Sequence, residues 1–356
     1  MPTLDAIHAQ LARVRYPGFQ RDIVALGVVR DVTLEGGRAI IVLDPGSRSP
    51  EVLQSLRATV AAEVGRLEGI ASVEVRIADA ARGAPASPFD ERAPLPGVAR
   101  VLAVASGKGG VGKSSVAVSL AVALRARGRR VGLLDADIYG PSIPLMMGVA
   151  EARPTMTEGK KILPVERYGL SLISMGFFLD DTSPVIWRGP MVMSIVRQFL
   201  KDVVWGTLDV LVIDLPPGTG DAQLTLVQQV PVSGGVIVTT PQDVALQDVQ
   251  RGIAMFQTVN APVLGIIENM SYYACPSCGT RDEIFGHGGG RREAAALGVE
   301  LLGEVPLLPE IRATLDRGTP LGVIEPQHPV SRLFDEIAAK VDAALEREAG
   351  SVLAAR

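Results

Sequence analysis

Residues 100–115 read RVLAVASGKGGVGKSS. A short apolar run suited to a buried strand ends in a glycine-rich loop, and VAVSLAVALRARG (116–128) follows with the composition of a helix. The loop satisfies G-x-x-x-x-G-K-[ST] with Gly107, Gly112, Lys113 and Ser114. In such a loop consecutive backbone N–H groups, here those of Gly107, Gly109, Gly110, Val111, Gly112 and Ser115, curl around phosphate oxygens. The helix N-terminus adds its partial positive charge. Lys113 is expected to reach the β and γ phosphates of ATP and the Ser114 hydroxyl to ligate Mg2+.

Working outward, further short and nearly continuous apolar runs appear: RVGLLDAD (130–137), LDVLVIDLP (208–216), GGVIVTTP (234–241) and PVLGIIENM (262–270), separated by helix-length segments. Continuous rather than alternating apolar strands predict a parallel sheet covered by helices on both faces, an α/β fold whose ligands gather at the carboxyl ends of the strands. Asp135 and Asp137 follow the second strand. Asp214 ends the third at the Walker B position, where a carboxylate holds Mg2+ through its water shell. Pro217 and Gly218 come next, as in a switch II segment whose backbone senses the γ phosphate.

Before this pattern, residues 81–98 (ARGAPASPFDERAPLPGV) are rich in Ala, Pro and Gly and read as a linker. Residues 1–80 contain a helical start at Leu4 to Val14, two strand-like segments around Glu35-Gly36-Gly37, a helix at Glu51 to Leu67 and the strand ASVEVRI (71–77). The expected organisation is a small α+β domain over 1–80 and an ATPase domain over 99–356.

Composition narrows the partners. Lys+Arg 35 against Asp+Glu 39 gives a net charge of −4, and no block of like charge could track a phosphate backbone or an anionic bilayer. Neither nucleic acid nor membrane is expected. The opening residues lack an apolar signal core and no apolar run reaches the roughly 20 residues of a membrane span. A cytoplasmic protein is the expectation, where a disulfide would be unusual.

YYACPSCGT (272–280) holds both cysteines of the chain, Cys275 and Cys278, a few residues past the last apolar strand. A structural zinc site usually needs four ligands. Of the three histidines, His8, His287 and His328, only His287 is near in sequence. A redox pair, two inert thiols in an exposed knuckle, or half of a site completed by a second copy across a two-fold axis all remain open.

The motifs resemble known families. KGGVGKS (108–114), with a second lysine inside the loop, is the deviant Walker A signature of the dimerising SIMIBI-type ATPases that include the Min, Par and nitrogenase iron proteins. That resemblance implies that Lys108 reaches the nucleotide of the partner subunit, that Asp137 positions the attacking water and that Asn269 contacts the adenine. GKGGVGKSS, DADIYGPSIP, DLPPGTGD, ENMS and CPSCG occur in the order found in iron-sulfur cluster carrier ATPases of the Mrp/ApbC type, over about residues 95–345. This likeness implies a homodimer in which Cys275 and Cys278 of both subunits bridge a labile 4Fe-4S cluster, taken from scaffold proteins and passed to apo-proteins. The N-terminal module resembles the small iron-sulfur assembly domain often fused to these ATPases. Its acidic start appears as YPGFQRD (16–22), and Ser47 and Ser49 stand where that family carries a cysteine, so docking or regulation is its expected role. The rivals are a partition or positioning ATPase, an electron-transfer iron protein and a zinc-stapled dimeric ATPase.

Overall fold

The computed structural model describes residues 2–15, 22–24, 28–43, 50–77, 95–138, 140–159, 161–178, 199–200, 202–218, 221–275 and 277–354. The linker read over 81–98 lies outside these as far as residue 94, as do Ser47, Ser49 and positions 16–21. The chain divides into two compact units, Met1–Ser87 and Pro88–Arg356.

The smaller unit runs α1 (Leu4–Leu11), β1 (Val29–Glu35), β2 (Arg38–Leu43), α2 (Pro50–Gly65) and β3 (Ser72–Ile77). The Thr3 hydroxyl accepts from the Ala6 N–H and so caps α1. Strands β1 and β2 are antiparallel and turn at Gly36-Gly37, both at positive φ, whereas β2 and β3 are parallel with α2 as the crossover. Alternate residues of β2, Ala39, Ile41 and Leu43, pack on Ile7, Leu11, Leu56, Val60 and Val64.

The larger unit begins with β4 (Val101–Ala105), α3 (Lys113–Ala126), β5 (Val131–Asp135) and α4 (Ile143–Met146). A hairpin of β6 (Thr155–Met156) and β7 (Ile162–Leu163) leads into β8 (Val165–Arg167) and β9 (Leu170–Ser174). Then come β10 (Val210–Asp214), α5 (Asp221–Gln229), β11 (Gly234–Thr239), α6 (Asp243–Thr258) and β12 (Val263–Glu268). A second hairpin, β13 (Tyr273–Ala274) with β14 (Arg281–Asp282), precedes α7 (Gly289–Leu297) and β15 (Leu301–Glu304). The unit ends in α8 (Pro309–Asp316), α9 (Leu321–Ile324) and α10 (Pro329–Ala354).

Eight strands form the main sheet in the order β15-β12-β11-β4-β10-β5-β9-β8. All neighbours are parallel except the edge strand β8. Its central strands are buried on both faces. In β4, Leu102 and Val104 face the core that contains α3 and α10, while Val101, Ala103 and Ala105 face the core that contains α6. Helix α10 presents Val330, Phe334, Ile337, Val341 and Leu345 at helical spacing. No helix among the described residues is long and apolar enough to cross a membrane.

Register decides where the chemistry sits. Strand β10 lies between β4 and β5, with Asp214 level with Val104 on one side and Asp135 on the other. Burial elsewhere leaves no slack: a Cβ on Gly235 would lie 2.6 Å from the ring of the fully buried Phe256. Gly235→Ala should therefore cost about 1–3 kcal/mol of stability, read as a lower denaturant midpoint. A midpoint equal to the wild type would refute this packing.

Candidate functional site

The loop from Ser106 to Gly112 joins β4 to α3. Gly112 sits at φ 76° as the N-cap residue of α3. A Cβ there would lie 2.3 Å from Asn269 Nδ2, and one on Gly107 would lie 2.1 Å from Asp248 Cβ. Close packing thus demands both glycines, and the left-handed backbone demands Gly112 as well.

Lys113 is buried at the head of α3. Its Nζ lies 2.6 Å from Asp214 Oδ1 and 3.8 Å from Asp137 Oδ2. Ser114 Oγ donates to the other oxygen of Asp214 at 2.6 Å. Burial pushes the Asp214 carboxyl up, against the pull of the Lys113 ammonium and the Ser114 hydroxyl. Fully buried Asp135 is pushed up to about 7, first by burial and then by the neighbouring Asp214. It accepts from Asp137 N at 3.1 Å, Ile143 N at 3.2 Å and Ser174 Oγ at 2.8 Å. Asp135 thereby ties both ends of the segment that carries Asp137 to β9.

A cavity of about 210 Å3 follows the loop from Lys108 to Ser115 and is closed by Asp137, Ser142, Met146 and Pro217. The segment after Asp214 is laid on the loop, with Gly218 N donating to Ser106 O at 3.1 Å. Buried Gln223 reinforces this by donating to Pro216 O. Lys108 is half-buried, and its Nζ is 3.4 Å from Gln242 Oε1 in its own chain. Asn269 does not line the cavity. Its Nδ2 donates to Val111 O at 2.8 Å from behind the loop.

The cysteines occupy the hairpin tip. Cys275 N donates to Thr280 O at 2.9 Å, Gly279 N donates to Cys275 O at 2.8 Å, and Gly279 takes φ 72°. Cys275 is half-buried, Cys278 is exposed, and neither is in a disulfide. The Cys278 thiol lies 3.2 Å from Thr280 Oγ1, and the Thr280 side chain, the Thr280 N–H and Cys275 lower its pKa. The thiolate is the metal-binding form. His287, the one histidine near in sequence, turns to Glu283 at 2.7 Å. Among the described residues no three of His, Cys, Asp and Glu are placed to hold a metal. Below the tip, Arg281 stacks 3.9 Å from the centre of the Tyr272 ring.

Two sites therefore flank the carboxyl edge of one sheet: a phosphate loop with paired carboxylates, and a hairpin tip with one half-buried and one exposed thiol. Residues 97–342 match the family described as ParA, NUBPL iron-transfer P-loop NTPase. The chain belongs to this family. It is a P-loop ATPase of the iron-sulfur cluster carrier kind. Residues 4–77 of this NUBPL-type NTPase match the iron-sulfur cluster assembly protein family. It is 44% identical to the iron-sulfur cluster carrier protein of Haemophilus influenzae over 96% of this chain and 92% of that one. The carrier protein of Synechocystis is 43% identical over 96% of this chain and 97% of its own. Among solved structures, an ADP complex of the nucleotide-binding protein from Archaeoglobus fulgidus is 38% identical, with a TM-score of 0.59 over 69% of this chain and 94% of that one. The cell division ATPase MinD of Pyrococcus furiosus, 20% identical with a TM-score of 0.50 over 69% of this chain and 99% of its own, shares the fold.

Two residues that organise this site carried no signal in the motifs. Ser174 reaches Asp135 and Gln223 Nε2 lies 3.5 Å from Ser106 O, contacts between segments distant in sequence that only the fold reveals. The role of Asp135 yields a pH test. Its raised folded-state pKa means its stabilising contribution is complete below the ordinary value of 3.8 and is lost as pH rises to about 7. Relative to Asp135→Asn, the wild type should lose stability through that window, by up to about 1.4 kcal/mol per pH unit. Parallel curves for the two proteins would contradict the assignment.

Proposed function

We propose that two copies of this ATPase hold a 4Fe-4S cluster between their cysteine knuckles, in the cytoplasm, and pass it to apo-proteins under the control of MgATP. The observation that carries this reading is the incomplete thiol site: half-buried Cys275 and exposed Cys278 sit at the tip of a short hairpin, with no third ligand grouped with them among the described residues. A four-ligand site then requires a second chain, and a two-fold axis supplies an identical pair. The names of the relatives from Haemophilus influenzae and Synechocystis support iron-sulfur cargo.

The nucleotide chemistry follows from the cavity. Two hard oxygen donors, Ser114 Oγ on the cavity wall and the buried Asp214 carboxylate to which it donates, suit Mg2+, which is usually bound by one or two carboxylates plus substrate phosphates. One ammonium, Lys113, lies against the Asp214 and Asp137 carboxylates, a balance that a divalent cation improves. Mg2+ would supply charge neutralisation between phosphate oxygens. Lys113 would move from Asp214 to the β and γ phosphates. The N–H groups of Gly107, Gly109, Gly110, Val111, Gly112 and Ser115 would cradle the phosphates, and Asp137 would orient the attacking water. Pro217 and Gly218 would report the γ phosphate. Lys108 would leave Gln242 and cross to the partner's nucleotide. Asn269 would serve the nucleotide mainly by shaping the loop from behind. The N-terminal unit, matched to an assembly family, would dock clients or scaffolds.

Lys113→Ala should abolish ATP turnover, since the ammonium placed to meet the phosphates is gone, in a chain that stays folded but less stable because Asp214 is left buried without its partner. Retained turnover would remove the phosphate-loop assignment. Cys275→Ala should purify with little iron and sulfide yet bind ATP as the wild type does. Unchanged iron content would sink the shared-cluster reading.

A further inference from the structure

We infer that Glu268 is a positioning residue that couples the phosphate loop to the cysteine knuckle; the inference rests on the reading of the two sites given above. Its basis is a chain of tight contacts at the end of β12. Asn269 donates its Nδ2 to Val111 O in the loop at 2.8 Å and its own N–H to Thr239 O at 2.8 Å. A Cβ on Gly112 would lie 2.3 Å from that Nδ2, so loop and strand end meet without clearance. The preceding residue, Glu268, is fully buried. Its Oε1 accepts from Ser271 Oγ at 2.6 Å, and its Oε2 accepts from Gly290 N.

These two partners bracket the knuckle. Ser271 begins the segment that reaches Cys275, and Gly290 lies in the first turn of α7, just after the chain returns from Cys278. One carboxylate thus grips both the way in and the way out. The backbone adds a second hold, since Val305 N donates to Glu268 O at 2.8 Å and Ser271 N donates to Val305 O at 2.9 Å. A buried carboxylate is costly unless its oxygens are satisfied, and both partners given to this one belong to the knuckle's two roots.

A ligand shifts a distant site only through contacts that differ between states. Phosphate oxygens bind the N–H groups of Val111 and Gly112, the same residues that rest on Asn269. Any change of loop position is therefore delivered to the end of β12 and, through Glu268, to both roots of the thiol hairpin. The thiols at the far end of this path are the place to read the coupling.

The experiment uses the reduced full-length chain without metal. Alkylation of Cys275 and Cys278 by iodoacetamide is followed by mass spectrometry with and without MgATP, and nucleotide affinity is measured on the same samples. MgATP should change the wild-type rate by about fivefold or more, the lower end of ordinary coupling between sites. Glu268→Met keeps the approximate size but can grip neither root, and Ser271→Ala removes one root with little disturbance. Both should bind MgATP with wild-type affinity and alkylate at rates nearly independent of it. Bound nucleotide without effect on the wild-type thiols, or variants that keep the wild-type ratio, overturn the inference. A variant with weakened affinity makes Glu268 a support of the loop and also overturns it. Failure of the wild type to bind MgATP would instead sink the phosphate-loop reading and take the coupling with it. Since no metal is present, the result stands apart from the identity of the cargo.

Discussion

At the carboxyl edge of the central sheet an ammonium and a carboxylate, Lys113 and Asp214, lie 2.6 Å apart and closed off from water. Two buried charges of opposite sign hold each other there because neither can be left alone at acceptable cost. The arrangement demands that β4 and β10 be neighbours, that α3 start where β4 stops, and that the strand between Asp214 and β9 bring its own carboxylate, Asp135, into line. The loop glycines, the segment carrying Asp137 and the switch after Asp214 are arranged around that pair.

The second constraint is stoichiometric. A hairpin of two-residue strands cannot enclose a metal by itself, and this one ends in one half-buried and one exposed thiol. Thr280 favours the thiolate of Cys278, the form in which a cysteine can bind metal. Half-sites that meet at an axis bind strongly together and weakly apart. A carrier needs that property and a storage protein does not.

Much of this was legible in the sequence, for identifiable reasons. The five central strands read as apolar runs because both their faces are covered, and the phosphate loop read from its glycines and Lys113. Strands β9 and β15 did not stand out. LSLIS (170–174) alternates weakly, and LLGE (301–304) contains Gly303, which a close approach of Ile337 requires. The site was legible where its residues lie in one motif and opaque where they act across the fold. Asp135 looked like a companion of Asp137 until Ser174, on an unread strand, proved to hold it. The motif suggested a base contact for Asn269, and the fold adds a hydrogen bond the motif does not announce, from its amide to Val111 O behind the loop. His287 was near the cysteines only in sequence and turns to Glu283.

The central claim is that the cargo belongs to two chains at once. Anaerobic reconstitution with iron and sulfide, followed by metal and sulfide counts and the mass in solution, tests it most directly. The account predicts about two irons and two sulfides per chain in a dimer, with the broad visible absorbance of thiolate-bound iron. Iron-free protein that retains about half a zinc per chain would contradict it and make the knuckle a structural staple.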